Sequence, residues 1–143
     1  MFKFFGSLLL FSVIVMFSST SSAQSSDETH VVHIQTNKMK GMLGDDTDAF
    51  NEMLRRQAGV LNSDSRVISS YVLRHNWGAD SRDLVIVTEF KSLEDLFAFY
   101  NEMDALMEKA MSKEQLKADN ELWGKYVGQH SDEIYREVAG TKK

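Results

Sequence analysis

Four histidines lie beyond residue 29 of this 143-residue chain: His30, His33, His75 and His130. Imidazole can move a proton near neutral pH or ligate a metal or haem iron, so any chemistry would start at these positions. His30 and His33 stand three apart in "HVVHIQTNKM". On a regular strand that spacing sends them to opposite faces, so they cannot share one metal. His130, in "GQHSDE", is expected in a loop. His75 lies in "YVLRHNWGADSRDLVIVTEF", at alternate positions with Tyr71 and Trp77. Alternation gathers Tyr71, His75 and Trp77 on one strand face, where an acid/base, ligand-binding or subunit-contacting role is open to them. A hydrogen-bonded, chemically inert histidine near a strand end is the competing reading. Nothing in the spacing fixes His75 or His33 as a ligand; no metal site is expected. The phosphate loop, the dinucleotide fingerprint, the G-x-S-x-G elbow and H-E-x-x-H are all absent. No cysteine is present, so no thiol nucleophile and no disulfide is available.

The elements that must position these residues follow from periodicity. His30 to Met39 is rich in β-branched residues and predicts a first strand. Phe50, Met53, Leu54 and Leu61 recur at helical spacing, with Asp46 or Thr47 as N-cap. "RVISSYVLRHNW" and "RDLVIVTEF" predict two strands, joined by "GADS" as a four-residue hairpin loop. That loop pairs Trp77 with Arg82, His75 with Leu84, Leu73 with Ile86 and Tyr71 with Thr88. It therefore adds Thr88 to the candidate ligand-binding or interface set of Tyr71, His75 and Trp77. The opposite face would carry Ile68, Ser70, Val72, Arg74, Val85, Val87 and Glu89. That small-residue face is expected to lie under the helices, with Arg74 and Glu89 as an ion pair. Next, "SLED" offers a cap at Ser92, followed by a stripe of Leu93, Leu96, Phe97, Tyr100, Met103 and Met107. "SKEQ" repeats the cap at Ser112 and predicts a further helix, which Gly128 ends. "DEIYREVAG" predicts the last strand.

The order β-α-β-β-α-β, with an extra helix before the last strand, is the α+β ferredoxin-like plan: a four-stranded antiparallel sheet with helices on one face. In that order, in the hairpin followed by "KSLEDLFAFY" and in the late "IYREV" strand, the chain resembles the dimeric α+β barrel superfamily. That superfamily includes antibiotic-biosynthesis-monooxygenase-like and NIPSNAP-like domains. The resemblance covers about residues 29 to 139. It implies a homodimer formed through the sheet and a pocket between sheet and helices. It also spans cofactor-free oxygenases, haem enzymes and proteins of unknown activity, so a haem cofactor stays open.

The N-terminus speaks to destination. Lys3 precedes the apolar run Phe4 to Phe17, and Ser21 and Ala23 then provide small residues for a cut before Gln24. This is the layout of a secretory signal peptide, and the run is shorter than the roughly 20 apolar residues a spanning helix needs. The expected organisation is a signal over 1–23, a polar leader over 24–29 and one α+β domain over 30–143. The product would be exported, periplasmic or extracellular, with no stable membrane anchor. With 21 acidic against 16 basic residues in the whole chain, nucleic acid is not an expected partner. The functional expectation is a non-catalytic homodimer that binds a small apolar ligand or a protein partner. The alternative is a small cofactor-free or haem-dependent oxygenase with its pocket near His75.

Overall fold

The computed structural model describes residues 29–78 and 80–142; the expected signal peptide and leader lie outside them, apart from Thr29. The chain runs β1 (Val31–Met39), a 3-10 turn (Gly44–Asp46), α1 (Thr47–Asn62), β2 (Val67–Arg74), β3 (Asp83–Phe90), α2 (Leu93–Ala110), α3 (Lys113–Tyr126) and β4 (Val127–Arg136). The strands form one antiparallel sheet in the order β2-β3-β1-β4. This is the ferredoxin-like α+β architecture expected from the element order. No helix among the described residues is long and apolar enough to cross a membrane.

Local chemistry explains where the helices start. Ser92 accepts the Asp95 backbone N–H at the head of α2. Ser112 and Gln115 form a reciprocal capping box at the head of α3, so the two helices meet at a clean break. At α1 the N-cap residue is Asp46, but its carboxylate makes no cap bond. It is engaged instead by the Tyr126 hydroxyl and by Lys125 Nζ at 2.6 Å. These tie the start of α1 to the end of α3 and hold the Asp46 carboxyl below its ordinary range.

The helices cover one face of the sheet and build two apolar clusters there. One joins Val31, Val67 and Phe90 to Leu61, Leu96 and Phe99. The other joins Leu84 and Val127 to Phe50, Met53, Leu54 and Tyr126. Burial of apolar side chains in these clusters is the main drive to fold.

The hairpin register differs from the expected one by a single residue. Tyr71 pairs with Val87, Leu73 with Val85, and Ser70 with Thr88. The ladder continues to His75, whose N–H donates to the Asp83 carbonyl at 3.1 Å. The connection therefore runs from Asn76 to Arg82 rather than over "GADS". Its cause is Asp80, which accepts the Arg82 backbone N–H at 3.0 Å and its guanidinium at 2.8 and 2.9 Å. An aspartate bonding the backbone two residues on makes a turn of its own, and it takes Ser81 and Arg82 out of the strand.

A shift of one residue exchanges the faces of β3 relative to β2. Leu84, Ile86, Thr88 and Phe90 look toward the helices beside Ser70, Val72 and Arg74. Val85, Val87 and Glu89 lie on the uncovered face beside Ser69, Tyr71 and Leu73. Half of the expected small-residue face is thus correct, the β2 half. Ile68 drops out of it because the register shifts between Val67 and Ser69, which leaves Ile68 exposed. Arg74 and Glu89 consequently lie on opposite faces and form no ion pair.

The last strand starts earlier than expected. α3 passes into β4 at Val127 without a loop, so Gly128 is a strand residue and not a helix terminator, and His130 lies in β4. A Cβ at Gly128 would stand 3.1 Å from the Lys38 carbonyl. The glycine permits close approach of β4 to β1 where their pairing shifts between Asn37 and Met39.

Candidate functional site

The four residues singled out in the sequence are not brought together. Thr88 is fully buried on the helix-side face, its hydroxyl 3.0 Å from that of Ser70. Tyr71 is half-exposed on the uncovered face, where it lines a groove of about 430 Å³ with Val32, Ile34, Val87 and Tyr135. Trp77 is 94% exposed at the hairpin tip. His75 lines a separate cleft of about 490 Å³ at the end of the sheet, with Arg74, Met39, Leu43 and Thr47. Gly78, at φ +140°, folds against its imidazole so closely that a Cβ would lie 2.9 Å from Cε1. The "HNWG" stretch is therefore a histidine sheathed by a glycine, with the tryptophan in solvent.

The helix-side face holds a group whose members the sequence does not join. Between the two apolar clusters runs a polar seam of Ser70, Thr88, His33 and Asn37, all buried. His33 is its centre. Its Nδ1 lies 2.6 Å from the Tyr100 hydroxyl on α2, and its Nε2 lies 3.0 Å from Asp132 Oδ1 on β4. Asp132 Oδ1 also accepts from Gln35 Nε2 at 3.2 Å, and His130 approaches Oδ2 at 3.1 Å. Burial and the nearby Asp132 charge push the Tyr100 hydroxyl up to about 12, so it stays a protonated donor at neutral pH. With Asp132 holding a proton on Nε2, Nδ1 is the lone pair that accepts the phenol's hydrogen. The arrangement is a carboxylate–imidazole–phenol chain that can pass a proton between α2 and the edge strand β4. In the sequence His33 stands as a possible ligand and Tyr100 only as part of the apolar helix stripe, and Asp132 carries no signal.

A second titratable group sits at the edge of the uncovered face. His30 Nδ1 lies 2.9 Å from Glu89 and 3.3 Å from Glu137, and the three donor atoms fall within 4.8 Å of one another. Such a set could ligate a divalent ion, but Lys142 Nζ lies 2.6 Å from both Glu89 oxygens. Burial opposes the charge on Glu89, yet the Lys142 ammonium and the His30 imidazole hold its carboxyl below the ordinary value. As for haem, both ring nitrogens of His33 are engaged, so ligation there would break one of its hydrogen bonds.

No protein-family model matches the sequence, and no curated protein does. Solved structures do resemble the fold. An uncharacterised NIPSNAP-like domain protein from Burkholderia xenovorans is 12% identical, with a TM-score of 0.55 over 80% of this chain and 90% of that one. A dimeric protein of unknown function and ferredoxin-like fold from Bacteroides fragilis is 14% identical, with a TM-score of 0.52 over 76% and 96%. SnoaB, a cofactor-independent oxygenase from Streptomyces nogalater, is 8% identical, with a TM-score of 0.50 over 80% and 98%. At such identities the likeness establishes the fold and leaves the activity open. The chain has the ferredoxin-like α+β fold of the NIPSNAP-like and oxygenase-like domains that its element order resembles.

Proposed function

We propose that the protein is an exported, non-catalytic binding module that works as a homodimer, joined through the uncovered face of its sheet. The observation that carries this reading is the row Val32, Ile34, Tyr71, Leu73, Val85 and Tyr135, which no helix covers. Contiguous apolar surface of this kind on a small acidic protein marks an interaction site. A two-fold contact needs one self-complementary patch, and this one has an apolar centre with ion pairs at its ends, Lys38 with Asp83 and Lys142 with Glu89. The dimeric Bacteroides fragilis neighbour of the same fold supports a homodimer. Export rests on the Phe4 to Phe17 run and the small residues before Gln24.

Light scattering on the purified chain tests the assembly. A dimer at micromolar concentration is expected, and Leu73→Glu should give a monomer with unchanged circular dichroism. A wild-type monomer would sink the proposal.

A second reading has one specific observation behind it, the Tyr100–His33–Asp132 chain. As a small oxygenase-like enzyme, the protein would use His33 rather than His75 as its proton carrier, with Tyr100 as the group that meets substrate. In any reaction found, His33→Gln should then remove turnover and leave the oligomeric state intact. Equal loss on His75→Gln would return the role to the hairpin.

A further inference from the structure

We infer that the cleft between Arg74, His75 and the start of α1 is a binding site for an amphipathic carboxylate, a chain or ring of hydrocarbon ending in an acid group. Its volume, about 490 Å³, falls within the range of small-molecule pockets. Met39, Met42, Leu43 and Leu84 give it an apolar wall, and Met42 stands 95% exposed at its edge. Methionine adapts its shape to hydrocarbon of varied outline.

Among the described residues, one cation of this cleft is unpaired. The Arg74 guanidinium lies 5.7 Å from the centre of the Phe50 ring and has no carboxylate partner among the described residues. His75 Nε2 is buried and has no hydrogen-bond partner among them. Gly78 closes over that atom, a Cβ there standing 3.3 Å from it, so the ring borders the cleft but its Nε2 does not open into it. The first residue of α1, Thr47, also lines the cleft, and Asp46 does not cap that helix because Lys125 and Tyr126 hold its carboxylate. Asp48 stands in the first turn and answers the positive end of the helix dipole, so the helix adds nothing to the site. The one carboxylate in the lining, Asp83, is already taken by Lys38. Arg82, the other cation there, is held by Asp80. What remains is the unpaired Arg74 guanidinium on an apolar wall, the complement of an acid with a hydrocarbon body.

The cleft shares no lining residue with the groove on the uncovered sheet face and meets the proposed interface only at Asp83. Isothermal titration calorimetry with octanoate, octanol and octyltrimethylammonium on the mature chain tests the site. Octanoate should bind at least tenfold more tightly than octanol, and the cation should give no binding heat. Arg74→Gln should weaken octanoate about tenfold and leave octanol unchanged. Should that variant fold poorly, Met42→Glu, at a fully exposed position, should weaken octanoate by a similar factor through charge repulsion. The monomeric Leu73→Glu form should still bind octanoate as the wild type does. Equal affinity for octanoate and octanol, or octanoate binding unchanged in Met42→Glu, would overturn the assignment.

Discussion

The hydroxyl of Tyr100 lies 2.6 Å from Nδ1 of His33, with the two rings edge to face at 78°. This contact ties the middle of α2 to β1 at the seam between the apolar clusters. Tyr100→Phe keeps the ring against Phe90 and Phe99 and removes only the bond. A loss of about 1–2 kcal/mol is expected, the cost of one buried hydrogen bond with its partner left unmet. Urea denaturation measures it, and a variant as stable as the wild type would show that the bond contributes nothing.

The same hydroxyl gives a pH dependence. Burial and Asp132 raise it to about 12 from an ordinary value of 10. The folded state therefore holds this proton where the unfolded chain releases it. The associated stability is complete below pH 10 and is lost as pH rises through about 12. In a spectrophotometric alkaline titration, the latest phenolate step of the wild type should be missing in Tyr100→Phe.

Gly78→Ala should destabilise the hairpin by about 1–3 kcal/mol. It forces a side chain into φ +140° and drives a Cβ to 2.9 Å from the His75 ring. His75→Ala removes the clash but not the backbone strain. The double variant should then be more stable than the sum of the single losses, by a coupling readable in a denaturation cycle.

Asp119 on α3 is 1% exposed, and Arg56 on α1 meets its Oδ1 at 2.5 Å. Arg56→Leu would strand that carboxylate in the interior. A loss of about 2–3 kcal/mol is expected, reduced from the fully buried case because Arg56 is partly open to solvent. Arg56→Leu with Asp119→Leu should recover most of it. Thermal unfolding of the three variants decides the point, since equal losses in single and double variants would exclude a paired role.

The helices were readable because their signals are local. Ser92 and Ser112 announce the starts of α2 and α3 through residues only three positions away. The hairpin register was not, because it depends on whether Asp80 bonds to Arg82, and a dipeptide pattern cannot report that. Gly128 was misread for a similar reason: its need is the Lys38 carbonyl, which is distant in sequence. The centre of the candidate site was hidden most deeply. His33 finds Tyr100 after 67 residues and Asp132 after 99, and neither partner stands out until the sheet order places β4 beside β1.

The direct passage from α3 into β4 has its own mechanical result. Beyond Val127 and Gly128 the strand is exposed on both faces, so no buried stripe tells it how to align, and such strands slip easily. Here the helix acts as a stop. The Lys40 N–H bonds the Tyr126 carbonyl at 2.8 Å, pinning the strand at the point where it leaves the helix. One residue inserted between Tyr126 and Gly128 would carry Asp132 to the opposite face and away from His33. The proton chain is thus indexed by the end of a helix on which none of its members lies.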